Sequence, residues 1–294
     1  MALVARSPFA STTSFKDKLV EKSAALFLLG STLVGLVALI VLLATIVGPG
    51  AEVIDGAFIR NFASRIPERA GIWPPLVGTV YLMLLVTVFA FPIGVGAAIY
   101  LEEFAPRNRF TALIETNIAN LAAVPSIIYG LLGLAVFYRA LSLGRSLITG
   151  ALTLTLLVLP VIIIAAREAL RAVPSSIRLG AMALGATRWE AVHKQVLPIA
   201  VPGIMTGTIL GLARAIGETA PLLVAGAAAF VAFTPDHPLD AYSALPVQIF
   251  DWVRRPQPEF QALAAGAILV LLGLLLVISA IAVAVRNRYD RKTR

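Results

Sequence analysis

The chain has 294 residues, of which 59% are apolar and 14% charged, and its mean hydropathy of +0.90 excludes an ordinary soluble domain. The net charge of +8 does not indicate a nucleic-acid-binding surface, because the Lys and Arg residues lie between apolar runs. The absence of cysteine excludes disulfides and thiolate metal sites, and two isolated histidines argue against a zinc site. We therefore expect no metal site and no redox chemistry.

Six apolar segments can each cross a bilayer, which takes about 20 residues in a helix. They span residues 24–47, 76–101, 112–138, 147–166, 199–233 and 262–285. The third is interrupted by Asn117, Asn120 and Pro125, and the fifth is too long for one straight crossing and contains Gly217 and Pro221. The sequence predicts an all-α membrane protein with about six transmembrane helices in one domain, residues 24–285.

The distribution of basic residues predicts the orientation, since Lys and Arg accumulate on the cytoplasmic side. With the N-terminus inside, the cytoplasmic segments hold sixteen basic residues and the outer loops hold seven. We expect residues 1–23 and the basic tail 286–294 to be cytoplasmic. The remaining basic residue, Arg214, falls inside the fifth apolar segment.

A predicted cytoplasmic loop, residues 167–198, joins the fourth and fifth spans. Pro174 with Ser175 suits a helix start, and Gly185 suits a turn. Trp189 offers a large apolar face to a partner's cleft. Spacing alone equally allows a solvated loop with a surface helix. Arg167 and Glu168 lie at its beginning, where an arginine can extend to the membrane interface, and His193 is interpreted as an ordinary loop residue.

The fifth span carries a pattern of small and charged residues. At about 100° per residue, one face of a regular helix collects Gly203, Gly207, Gly211, Arg214 and Glu218. Glycines at this spacing allow close helix packing, and a face with these charges is expected to point to another subunit or to water. An arginine at membrane depth costs at least about 2.5 kcal/mol. Two interpretations are open. Arg214 and Glu218 only neutralise each other's charge and hold helices together, or the guanidinium lines a translocation path and binds an oxyanion through its forked donors.

Polar residues in the third span allow two interpretations. Asn117, Asn120, Ser126 and Tyr129 either contact the same path or form hydrogen bonds between helices. The second is the commoner role of such residues in membrane helices.

The predicted loop resembles the EAA loop of permease subunits in ABC importers. The family pattern is Glu-Ala-Ala, three residues, Gly, nine residues, then Ile-x-Leu-Pro. The corresponding residues here are Leu179, Gly180, Ala181, Gly185, Gln195, Val196, Leu197 and Pro198. The glutamate, first alanine and isoleucine of the pattern are replaced, and the glycine and the closing Leu-Pro are kept. The resemblance implies that a helix in this loop couples to an ATPase. The residues expected in or beside this helix are Gly180, Ala181, Gly185, Trp189, Leu197 and Pro198.

Several stretches resemble the phosphate-specific permeases of the type I ABC importers. They are IGETAPLL (216–223), VPSIIYGL (124–131), VGTVYL (77–82) and LPVQIFDW (245–252). The Thr-Ala-Pro-Leu-Leu ending is more similar to the A subunits (PstA) than to PstC. The resemblance implies a phosphate permease that is a multi-pass protein of the bacterial inner membrane. In such a protein, the polar residues singled out above, Arg214, Glu218, Ser126, Tyr129 and Asn120, are the candidates for the substrate path.

The same resemblance implies the partners. They are a homologous PstC-like permease, a PstB-like ATPase dimer and an extracytoplasmic PstS-like phosphate-binding protein. Trp252, Arg254 and Arg255, in the last outer loop, would contact the binding protein, or Trp252 would act as an interfacial anchor. This chain is expected to bind no cofactor itself, and ATP and Mg would be used by the ATPase.

Other functions remain open from the residues alone. The sequence contains no Gly-x-x-x-x-Gly-Lys-Ser/Thr phosphate loop and no recognisable catalytic set, so we do not expect an enzyme. A permease for sulfate or molybdate would share the loop but is not expected to carry IGETAPLL. An ion-coupled secondary transporter would need no ATPase.

Overall fold

The computed structural model describes residues 15–228 and 230–293, so most of the predicted segment 1–23, and Arg294 of the basic tail, lie outside the described residues. Every regular element in the described part is helical, which confirms the predicted fold class. The helices are α1 Phe15–Val53, α2 Gly56–Arg60, α3 Trp73–Ile99, α4 Arg109–Ala122, α5 Ser126–Gly133, α6 Leu147–Arg171, α7 Ser175–Ala183, α8 Arg188–Ala191, α9 Leu197–Ile216, α10 Ala220–Ala225, α11 Leu245–Val253 and α12 Pro258–Thr293.

Short helical turns of other types accompany these helices. One 3₁₀ turn, Pro67–Arg69, precedes α3, and π-helical turns follow α3, α5 and α8. The π turns are Tyr100–Phe104, Leu134–Ala140 and Val192–Val196. The first two turns extend α3 and α5, and the third joins α8 to α9. The continuous helical stretches are therefore longer than the α-helical bounds alone.

Five helical stretches of the described residues are long and apolar enough to cross a membrane: Leu19–Val53, Trp73–Phe104, Leu147–Arg171, Arg188–Ile216 and Pro258–Arg288. A sixth crossing is possible only if Arg109–Ala122 and Ser126–Ala140 are counted together, and these two helices meet at 103°. The predicted third span is therefore sharply bent. The bend falls before Pro125, which is expected because a proline disfavours helical backbone at the residue before it.

Two other span boundaries differ from the prediction. Helix α6 continues five residues beyond Ala166, to Arg171, so the predicted loop begins later than residue 167. Helix α9 ends at Ile216, and the chain then makes a break before the short helix α10. The fifth apolar segment, which we predicted to continue to residue 233, is therefore an interrupted helix.

The chain divides into two units, residues 1–48 and 49–294. The described part of the first unit is a single apolar helix, the N-terminal part of α1. The second unit contains all the remaining elements and has α6 at its centre. On α6, Leu154, Val158 and Ile162 are buried in one cluster with residues of α3 and α9 such as Val86 and Ile216.

Local capping explains where the helices around this core begin. The side chain of Ser146 accepts the backbone N–H of Thr149 at the start of α6, and Asn108 does the same for Thr111 at the start of α4. Helix α3 begins at Trp73 and has proline within its first turn, where a missing N–H costs nothing. The charged residues described below lie where the ends of α3 and α6 meet the first half of α4.

Candidate functional site

The connection between α6 and α9, residues 172–196, forms an exposed surface that we call the connecting segment. Its helix α7 contains no buried residue, and the turn after it has Gly185 at φ +90°, a conformation that favours glycine. Apolar side chains project into solvent on both sides of this turn. Leu184 is 91% exposed, Leu179 62% and Trp189 58%.

The second half of the connecting segment is held in shape by local contacts. Thr187 and Glu190 form a capping box at the start of α8. Glu190 accepts a hydrogen bond from the backbone N–H of Thr187 and pairs with Lys194. These two contacts, the first being the larger cause, lower the pKa of Glu190 to about 2. The ring of Trp189 stacks on His193 with 5.6 Å between centroids. Trp189 is thus presented on a fixed short helix.

The remaining residues predicted for coupling lie around this surface. Gly180 is exposed in α7, and a Cβ built on it meets no atom within 4 Å. Ala181 is partly exposed beside it. Leu197 and Pro198 form the first turn of α9, and Leu197 packs against the core cluster below. The connecting segment therefore presents an apolar face away from the helices and continues directly into α9.

A cluster of buried ion pairs lies between the connecting segment and the helix ends, and the sequence did not predict it. Arg167 is only 7% exposed, so the expectation that it extends to the membrane interface is wrong. Its NH2 group lies 2.6 Å from Glu115 of α4 and 3.4 Å from Glu102 after α3. Glu102 also pairs with Arg171 at 2.9 Å. Two adjacent acids at the end of an apolar span, Glu102 and Glu103, were the available signal.

The break after α9 holds the predicted polar pair. Arg214 lies in the last turn of α9, Gly217 ends the helix, and Glu218 follows outside it. The expectation that all five residues share the face of one regular helix therefore fails at Glu218. The pair nevertheless forms, with 3.4 Å between Nε and a carboxylate oxygen. The Arg214 side chain is 48% exposed and that of Glu218 18%.

The glycines of α9 face a helix of the same chain. A Cβ on Gly203 or Gly207 would collide with Ala169 or Ala165 of α6, and one on Gly211 would lie 3.1 Å from Ile162. This close approach corrects the expectation that the glycine face points to another subunit or to water. Arg214 lies in the last turn of α9, beyond these glycines, and its side chain is half exposed.

The polar residues of the bent pair α4–α5 lie in different surroundings. Asn120 is exposed near the end of α4, and Ser126 is partly exposed at the start of α5. Tyr129 is buried, and its hydroxyl donates to the carbonyl of Leu121 at 2.8 Å across the bend. Tyr129 also packs in the same core cluster as Ala215 and Ile216, which follow Arg214 in the chain. The structure thus brings Tyr129 close to the Arg214–Glu218 pair.

Both interpretations of Trp252 were wrong. This residue is fully buried in α11, between the rings of Phe58 and Phe260, at 6.3 Å from each centroid. Arg255 pairs with Asp251 at 2.7 Å and lies over Phe260, and Arg254 lies over Phe250. The LPVQIFDW stretch therefore builds core in this chain, and Arg254 is the exposed member of the predicted trio.

Comparison with known families and proteins agrees with this architecture. The family "Binding-protein-dependent transport system inner membrane component" matches residues 90–294. "Phosphate transport system permease protein PstA 1" of Mycobacterium tuberculosis is 30% identical over 289 residues, covering 96% of this chain and 92% of that protein. "Probable ABC transporter permease protein YqgI" of Bacillus subtilis is 35% identical over 196 residues, 67% of this chain and 65% of that protein.

Solved structures support the fold alone, because their sequences are distant. A chain of a bacterial alginate ABC transporter, solved in complex with an alginate pentasaccharide-bound periplasmic protein, has a TM-score of 0.68 at 16% identity and covers 91% of this chain and 95% of that one. A chain of the MetNI methionine ABC transporter, in an inward-facing conformation, has a TM-score of 0.60 at 18% identity, covering 74% and 97%.

Proposed function

Because the chain belongs to the family of inner-membrane components of binding-protein-dependent transport systems, we propose that it is the A-type permease subunit of an ATP-driven importer of inorganic phosphate. The support is threefold: the IGETAPLL stretch around the break, relatives named as phosphate permeases over most of the chain, and a half-exposed arginine at that break. The arginine carries the proposal, because it supplies the chemistry that an oxyanion needs.

Arg214 can exchange its carboxylate partner for phosphate. Its recorded pairing with Glu218 uses Nε at the long distance of 3.4 Å, and the side chain is half exposed. A guanidinium presents donors in a fork that matches two phosphate oxygens, and a partly desolvated site strengthens such bonds. Glu218 would balance the charge when no anion is present. In this mechanism the pair opens when phosphate passes and closes afterwards.

The connecting segment would dock the ATPase. Exposed Leu179, Leu184 and Trp189 form an apolar patch of the kind that marks an interaction site. In the proposed complex, both termini and this segment lie in the cytoplasm of a bacterial cell, and the chain lies in its inner membrane. A second, homologous permease completes the path, a binding protein delivers phosphate from outside, and ATP and Mg are used by the ATPase subunits.

The decisive experiment is reconstitution of the assembled importer with Arg214→Ala. Hydrogen bonds to charged groups contribute about 1.5–3 kcal/mol, so ATP-dependent uptake of labelled phosphate should fall at least about 10-fold while the subunits remain assembled. Arg65→Ala, another exposed arginine, which has no assigned role, is the matched control and should import normally. Normal uptake by the Arg214 variant would refute the role of this side chain. Uptake that continues with an inactive ATPase, or that sulfate or molybdate competes away, would refute the proposed function.

A further inference from the structure

Arg178 of α7 is bonded to two other elements at the same time. Its Nε donates to both carboxylate oxygens of Glu103 at 3.1 Å, and its NH2 group donates to one of them at 2.5 Å. Its NH1 group donates to the carbonyl of Val173 at 2.7 Å, and NH2 also donates to that of Leu170 at 2.8 Å. One guanidinium thus joins the connecting segment, the π turn after α3, and the end of α6.

Burial makes this junction hard to open. The Glu103 side chain is 5% exposed and that of Arg178 is 21% exposed. A forked, charge-assisted bond is strong and specific in its geometry at a site with little water, and a buried carboxylate without its partner is costly. The carbonyls of Leu170 and Val173 lie at the C-terminal end of α6, where backbone acceptors lack helical partners and a cation is favourable.

Helix α7 makes few other contacts with α3 and α6, although it packs against α8 and the π turn that leads into α9. The helix has no buried residue, and its partly buried Ile177 packs against the cluster formed by α6, α9 and the end of α3. The apolar residues Leu179 and Leu184 point into solvent. The other ion pair of the connecting segment, Lys194 with Glu190, is local. A force applied to the exposed surface of α7 therefore reaches the end of α3 mainly through Arg178 and Ile177, whereas it reaches α9 through α8 and the π turn.

We propose that Arg178 is the positioning residue that transmits movement of the connecting segment to α3 and α6. The Arg178–Glu103 junction makes α7, the end of α6 and the end of α3 move as one body. Glu102, beside Glu103, ties the same π turn to Arg167 and Arg171, so α3 follows α6. This inference rests on the proposed function, because it assumes that the ATPase docks on this segment.

The test uses the complete importer in proteoliposomes, with its ATPase and binding protein. Arg178→Lys keeps the charge and loses the fork. We expect the complex to assemble with near-normal basal ATPase activity and to lose stimulation by the loaded binding protein. It should hydrolyse at least about threefold more ATP per phosphate imported, since mutations between coupled sites change the coupling by about this much or more. Arg188→Lys, in the same segment but bound over the Phe104 ring, is the matched control and should match wild type.

A second variant keeps the test decisive if Arg178→Lys does not assemble. Glu103→Gln keeps the volume of the side chain and a hydrogen-bond acceptor but removes the charge. We expect this variant to hydrolyse more ATP per phosphate imported than wild type, by a smaller factor than Arg178→Lys. An unchanged ratio in the assembled variants, or uptake and ATPase activity falling in equal proportion, overturns the inference. Failure of the wild-type complex to import phosphate with ATP would instead overturn the proposed function.

Discussion

Two of the arginine–glutamate pairs among the described residues have the same chemistry and different surroundings. Arg178 and Glu103 lie 75 residues apart in the chain, and their nearest atoms are 2.5 Å apart at a site where the carboxylate is almost fully buried. Arg214 and Glu218 are four residues apart, meet at 3.4 Å, and leave half of the arginine exposed. The first pair joins separate elements, whereas the second lies within one break.

This difference separates a structural role from a transport role. A buried pair with several hydrogen bonds cannot exchange partners without a large penalty, so it suits the transmission of movement. A pair with one long contact and a half-exposed arginine contributes little to stability, so its guanidinium is able to bind another anion. Residue type alone would have assigned the same role to both.

The largest expected effect comes from removing the glutamate of each pair. Glu103→Ala leaves a guanidinium without its buried partner and should destabilise the protein by about 3 kcal/mol. Glu218→Ala should cost less than about 1 kcal/mol, because the Arg214 side chain is half exposed and makes one long contact with Glu218. Thermal unfolding of the purified protein in detergent measures the stability of both variants. The melting temperature of Glu103→Ala should be at least about 5 °C below that of Glu218→Ala. Equal melting temperatures for the two variants would remove the distinction between the pairs.

Sequence reasoning found one of these pairs and missed the other for a physical reason. Arg214 and Glu218 have a spacing that a helix turns into a contact, so local periodicity was enough. Arg178 and Glu103 meet only because α3 and α6 pack side by side, and nothing in the local sequence encodes that contact. Arg167 was misjudged for the same reason, since its partners Glu102 and Glu115 come from two other helices.

A smaller effect is expected at Tyr129, which stabilises the bend between α4 and α5 with a neutral hydrogen bond. The hydroxyl donates to the Leu121 carbonyl across the 103° bend, so Tyr129→Phe removes this hydrogen bond and leaves the carbonyl only its local backbone donors, such as the N–H of Val124. We expect a loss of about 1 kcal/mol in stability and a modest decrease in phosphate uptake. Thermal unfolding and uptake of the same preparation test this, with Tyr138→Phe as control on the π turn beyond α5. A stable variant with abolished uptake would instead place the hydroxyl in direct contact with the substrate.

The fold was more predictable than its bends. Apolar length located the membrane helices and Pro125 marked the interruption of the third, but the angle of 103° depends on how α5 packs against α10 and α6. The buried position of Trp252 was also beyond the sequence, because a tryptophan near arginines fits an interfacial anchor equally well. Its surroundings are decided by the packing of other elements, such as Phe58, which is distant in the chain, and Phe260 of the next helix.

The smallest expected effect concerns Glu190, the exposed acid of the connecting segment. Its folded pKa of about 2 lies below the ordinary value of 4.5, because it accepts the backbone N–H of Thr187 and pairs with Lys194. Its contribution to holding α8 is therefore fully present above about pH 4.5 and is lost as the pH falls toward about 2. The ¹³C resonance of its carboxyl group, identified by its absence in Glu190→Gln, should titrate near the lower value. A midpoint at 4.5 would mean that the capping box is open in solution. Trp189, which this cap holds in place, would then be mobile, whereas the junction at Arg178 would be unaffected.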